Sequence, residues 1–202
     1  MKNFTGLSLQ DYLTELSSPE PVPGGGSVSA YAAALGTGLI QMVGSVSLKR
    51  KKKQGLSPEE EKKEDAKREA IQKIVNAIER IKKEALEKVD EDPDAYQKVI
   101  QAAGRPEKME NALADSFRVQ AGLASLVVQA LESNHSLAEL VSGSIKNDLK
   151  VSAALLDAAF KGAYHTAEIN VVYMKDAEKK QKAEKNLAEL KEKFQKENVH
   201  AG

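Results

Sequence analysis

The chain has no cysteine and no tryptophan, and only 4% of its 202 residues are aromatic. Without cysteine there is no disulfide framework, no thiolate nucleophile and no cysteine-based metal site. Charge of one sign is missing too. Lys+Arg and Asp+Glu are 30 each, whereas a general nucleic-acid binder needs a positive surplus to meet phosphates. The three histidines, His135, His165 and His200, are too scattered for a zinc motif such as HExxH. The opening MKNFTGLSLQDYL has no basic segment leading into an apolar stretch, so no signal peptide is visible and a cytoplasmic protein is the default. Residues 21–48 carry no charge, yet they are built largely from Gly, Ser, Ala and Thr. That composition inserts poorly into a bilayer, so no membrane partner is expected.

What is present is helical periodicity. Ser8 precedes LQDYLTEL with Asp11 in the box position, and Leu9, Leu13 and Leu16 share a face. A second helix is expected from the glycines of PVPGGGS, with Ser27 as its N-cap. Along it Val28, Tyr31, Leu35, Leu39, Met42 and Val46 form a stripe of large residues, and Ala30, Ala34 and Gly38 a stripe of small ones. Apolar on two sides, this helix should be central. Ser57-Pro58-Glu59-Glu60 starts a third helix, which VDEDPDAY should break at Asp92-Pro93 before a stop near Gly104. Three more follow over roughly 107–132, 135–175 (with an interruption near Gly143 or Gly162) and 176–197. The fold class is all-α: a single domain over 1–202, a helical bundle with a central small-residue helix. Small-residue surfaces on the second helix and over residues 153–162 suit a homodimer contact.

Three stretches could carry chemistry. Bare glycines before a helix leave unpaired N–H groups open to an anion, or simply make an elbow or a close helix contact. The aspartates Asp90, Asp92 and Asp94 sit at the expected helix junction. There Asp92 either caps the next helix or, if buried, has its pKa raised far enough to move protons. Farther on, Asp148, Tyr164, His165, Glu168 and Asn170 put polar groups into an otherwise small and apolar helix. There a histidine reads as a satisfied core residue, and the Asn170 amide must find partners.

The stretches LSLQDYL, PVPGGGSVSAYAAALGTGLIQMV, VDEDPDAYQKVIQAAGRPE, NDLKVSAALLDAAFKGAY and INVVYMKD run in order over nearly the whole chain. Together they resemble the cyclodeaminase domain of the formiminotransferase–cyclodeaminase family, which includes stand-alone methenyltetrahydrofolate cyclohydrolases. The resemblance implies an all-helical homodimer acting on tetrahydrofolate one-carbon adducts, with no metal and no cofactor beyond that substrate. It implies that Gly24, Gly25, Gly26 and Ser27 shape the folate pocket, and it places the proton acceptor at Asp92. Asp148 becomes a candidate second carboxylate or pterin hydrogen-bond partner. Tyr164 and Asn170 are candidate substrate-binding residues, and the basic run 49–53 is a candidate contact for the glutamate tail. The chain departs from the family pattern at Val141-Ser142, Thr166 and Val119-Gln120. The first two departures favour the alternative of a non-catalytic folate-binding or scaffold relative.

Overall fold

The computed structural model describes residues 3–52 and 55–198, within which every regular element is an α-helix. His200 and Lys53 lie outside the described residues. The order is α1 (Leu9–Leu16), α2 (Gly25–Lys49), α3 (Pro58–Gln101), α4 (Pro106–Leu140), α5 (Lys146–Tyr173) and α6 (Ala177–Asn198). The two capping signals form as the residues dictate. Ser8 Oγ accepts the Asp11 N–H at 3.1 Å. Ser57 and Glu60 make a reciprocal capping box ahead of Pro58.

Two expected breaks are absent or displaced. α3 runs through Pro93 without ending, because a partner takes up the carbonyl that the proline ring cannot serve (below). The gap between α4 and α5 falls at 141–145, where Gly143 has φ +90°. That left-handed turn favours glycine. Gly162 stays inside α5, and residues 133–135, where one helix is expected to give way to the next, lie inside α4.

α2 packs against α3 and α5, with α4 closing the layer and α6 lying on α4 and α5. Its small residues make this possible. A β-carbon on Gly36 would stand 3.0 Å from Leu156, and one on Gly162 of α5 only 2.1 Å from Ser29 Oγ. Ser152 Oγ donates to the Gly36 carbonyl at 2.8 Å across the same contact. Ser29 and Gly36 of α2 therefore meet Ser152, Leu156 and Gly162 of α5 inside the protomer, whereas Gly38 of the small stripe has nothing within 4 Å of its β-carbon position. The large stripe is left open too: Leu35 is 55% exposed, and Val28, Met42 and Val46 are each more than a third exposed. α2 is central on one side only. By length and composition it could span a bilayer; here its Gly/Ser/Ala/Thr face is core. α6 docks through Ala183, Leu187, Leu190 and Phe194, with Phe194 stacked on Phe160 at 3.8 Å between centroids.

Candidate active site

The N-terminus of α2 meets the middle of α3 at Asp92, and the sequence around each explains why. Proline has no N–H, so Pro93 cannot bond the carbonyl four residues back, that of Val89. Ser27 Oγ fills the vacancy, donating to Val89 O at 2.9 Å. With its proton committed there, the Ser27 oxygen receives the Tyr12 hydroxyl at 3.0 Å. The Ser27 backbone N–H, one of the first-turn donors that a helix cannot satisfy itself, goes to Asp92 Oδ2 at 3.0 Å. Ser27 is thus the third residue of α2, not its N-cap, which is Gly24. Asp92 caps no helix beginning at Pro93. It serves α2 from the side.

Asp92 is 6% exposed. Its other oxygen, Oδ1, accepts from Gln120 Nε2 of α4 at 2.7 Å. Burial pushes the carboxyl above the usual aspartate range, while the bonds from Gln120 and the Ser27 N–H pull the other way. Gly26 must be bare for this cluster to exist, since a β-carbon there would lie 2.2 Å from Asp92 Oδ1 and 2.3 Å from Gln120 Nε2. Gly25 differs: nothing stands within 4 Å of a β-carbon at that position.

Beside the cluster lies a cavity of about 790 Å³. Pro21, Val22 and glycines 24–26 form one wall. α3 contributes Asp92, Tyr96 and Val99, and α4 Met109, Leu113 and Ser116. α5 contributes Thr166, Ile169, Asn170 and Tyr173, and Lys175 follows at the rim. Each set repeats at helical three- and four-residue steps. The inner end is polar and buried (Asp92, Ser116, Asn170); the mouth is apolar, with Tyr173 65% and Ile169 49% exposed. Asn170 Nδ2 donates to the Thr166 carbonyl at 2.9 Å, and Thr166 Oγ1 to Gly162 O at 2.9 Å. The first-turn N–H groups of Gly25 and Gly26 have no acceptor within their own helix, and both residues line the cavity.

Gly24, Gly25, Gly26, Asp92 and Asn170 therefore converge, and Ser27 stands directly behind them. Three candidates do not join the lining. Asp148 is in the first turn of α5, about 33 Å along the helix from Asn170 at 1.5 Å per residue. Tyr164 stacks on Phe160 at 6.0 Å and faces Lys191 of α6; six residues from Asn170, it lies about 240° away around the helix. The basic run begins at the far end of α2, about 36 Å from Gly25, and the cation of the lining is Lys175. His165 is not a core residue, its side chain being 74% exposed and 3.6 Å from Glu168. Tyr96, Ser116 and Gln120 also belong to the site, beyond the residues that the sequence points to. Asp92 with Tyr96, and Ser116 with Gln120, stand at i, i+4 in the sequence, but nothing local shows that either pair faces the glycine turn.

The pocket thus joins a glycine wall, a helix N-terminus and one buried carboxyl. The family model described as formiminotransferase-cyclodeaminase matches residues 8–189. The chain belongs to that family. Formimidoyltransferase-cyclodeaminase from Mus musculus is 25% identical to it over 200 residues, 94% of this chain and 35% of that protein. The protein of the same name from Gallus gallus is 28% identical over 202 residues, with 95% and 35% covered. The chain spans about a third of the length of the curated relatives it matches. In fold it is similar to the crystal structure of formiminotetrahydrofolate cyclodeaminase from Thermotoga maritima. That match has a TM-score of 0.86 at 21% identity and covers 98% of this chain and 96% of that one.

Proposed function

We propose that this formiminotransferase–cyclodeaminase family member is a tetrahydrofolate one-carbon enzyme, and that it carries out the cyclodeaminase reaction. The observation that carries the reading is the buried Asp92 carboxyl at the inner end of a cavity walled by a helix N-terminus. In that reaction N10 of 5-formiminotetrahydrofolate attacks the formimino carbon, and the bond to the former imine nitrogen then breaks. The nitrogen leaves as ammonia after gaining two protons. One comes from N10, accepted by the Asp92 carboxylate and passed on, and the other comes from solvent. A raised pKa suits both halves of that task, since the group must take a proton and then release it near neutrality. The glycine wall lets the flat pterin approach backbone N–H groups, Tyr96 and Tyr173 flank the outer part of the substrate, and Lys175 meets its carboxylates. No cofactor beyond the folate is required in this scheme.

The test is direct. Incubation with 5-formiminotetrahydrofolate should release ammonia as the near-ultraviolet absorbance of the methenyl product rises. A second incubation, with methenyltetrahydrofolate, separates out the cyclohydrolase route, in which water opens the same ring. Turnover in neither assay leaves the scaffold reading standing. The positions of the family departures bear on that reading. Val141-Ser142 lies beside Arg50 and Lys51, outside the Asp92 cavity, whereas Thr166 lines the cavity and Gln120 binds the carboxyl.

We also propose a homodimer, formed through the open side of α2, where the exposed large residues and Gly38 lie. Leu9 and Leu13 of α1 add exposed apolar surface beside it, and Tyr12 packs on Tyr31 at 5.0 Å. Leu35→Glu should dissociate the dimer at micromolar concentration in light scattering while leaving the thermal midpoint of the protomer nearly unchanged. Gly38→Leu gives a second probe, because nothing lies within 4 Å of its β-carbon position in the protomer. A wild-type chain that is monomeric under those conditions removes the proposal.

A further inference from the structure

Gln120 is fully buried, and its two polar atoms have opposite fates. Nε2 donates to Asp92 Oδ1 at 2.7 Å, while Oε1 is buried with no hydrogen-bond partner among the described residues. An ionised carboxylate only accepts, so the NH2 group must face it and the amide oxygen is left over. A buried acceptor without a partner is costly. The arrangement makes sense if the carboxyl is sometimes an acid. An O–H on Asp92 Oδ1 needs an acceptor, and the same amide turned half a rotation about its last side-chain bond supplies one.

We propose that Gln120 is the positioning residue of Asp92, donating to its carboxylate and accepting from its protonated form, so that one side chain holds the carboxyl in place through both states of a proton transfer. This rests on the reading of Asp92 as the proton carrier. The surroundings leave Gln120 that role. From α1, Tyr12 reaches Asp92 only through Ser27. Asp90, two residues earlier on α3, is turned to the backbone and hydroxyl of Thr5. Tyr96 and Lys175 line the outer cavity, and Ser116, Thr166 and Asn170 are neutral. Gly26, with no β-carbon, is what lets the amide and the carboxyl come within reach.

The experiment is a titration of the Asp92 carboxyl carbon by 13C NMR in the wild type, in Gln120→Met and in Gln120→Glu, with Asp92→Asn to assign the signal. Methionine keeps length and fills the space but donates nothing. Both bonds are lost, and because the charge-assisted bond to the carboxylate is the stronger of the two, the Asp92 midpoint should rise by about half to one pH unit. The acid limb of the turnover profile should move up equally, with KM for the folate changed less than about twofold. The isosteric Gln120→Glu puts two carboxyls on one proton and should raise the upper midpoint further. It supplies the measurement if the methionine variant does not fold. A midpoint that stays at the wild-type value in the variants overturns the proposal. If the wild type is active and the midpoint does not move, this inference fails and the proposed function stands. If the midpoint moves but no folate adduct is turned over, the function fails and the positioning role stands.

Discussion

Asp92→Asn should lower turnover by at least about a hundred-fold while leaving the protein folded and able to bind folate. The substitution fits because the site can re-pair around it. The asparagine carbonyl can accept the Ser27 N–H, and its amide can donate to Gln120 Oε1, the oxygen that lacks a partner in the wild type. Stability should respond in a particular direction. The folded pKa of Asp92 is raised above the ordinary aspartate value, so the folded state holds its proton more tightly than the unfolded chain. Its contribution is therefore fully present at low pH and is lost as pH rises from the unfolded pKa through the folded one. Removing the titration should leave Asp92→Asn at least as stable as the wild type at pH 7, with the gap closing towards pH 4. Thermal midpoints at the two pH values, set beside kcat, read both effects. Asp90→Asn is a different control. Asp90 accepts from the Phe4 N–H at 2.6 Å, the Thr5 N–H at 3.3 Å and Thr5 Oγ1 at 2.7 Å, so its loss should loosen the N-terminal segment and lower the midpoint rather than abolish turnover. Asp94→Asn should do little of either. Should Asp92→Asn keep wild-type turnover, the carboxyl is only the dock for α2 and the catalytic assignment is wrong.

The parts of the fold that could be read from the sequence were those decided locally. The serine caps before α1 and α3, the uniform helical period and the sense that bare glycines in front of α2 leave room for something all rest on neighbours within a turn. What could not be read depended on a partner far along the chain. Pro93 signals a break only if the Val89 carbonyl goes unserved, and its partner, Ser27, is 62 residues away. Ser27 looked like a cap because serine before an apolar run usually is one. Two stripes of α2 are visible in the sequence, but nothing local says that a face through Ser29 and Gly36, members of neither, meets α5. Asp148 and Tyr164 had the right chemistry on the right helix. Helix length put the first beyond reach of the cavity, and helix phase turned the second towards α6. Asn170, on the same helix as both, has the depth that Asp148 lacks and the phase that Tyr164 lacks.

The glycines give the second large effect, and neighbouring positions should fail in opposite ways. At Gly26 a β-carbon would sit 2.2 Å from Asp92 Oδ1 and 2.3 Å from Gln120 Nε2, so even alanine has to force the two apart. Overpacking costs about 1–3 kcal/mol, and breaking a buried charge-assisted hydrogen bond adds about 1.5–3 kcal/mol. Gly26→Ala should therefore lose about 3 kcal/mol or more, a fall of about 10 °C in the thermal midpoint for a domain of this size, with turnover lost alongside. At Gly25 a β-carbon meets nothing within 4 Å, and the residue lines the cavity. Gly25→Val should keep the wild-type midpoint and weaken folate binding by about tenfold or more, since the side chain occupies the approach to the helix N-terminus. Calorimetry on both variants and binding per folded molecule separate the two modes of failure. Were Gly25→Val to bind folate as the wild type does, the glycine turn would be an elbow that lets α2 start against α3, and no part of it would face a ligand. Were Gly26→Ala to keep both fold and turnover, the close approach of Asp92 to Gln120 would have no bearing on the chemistry.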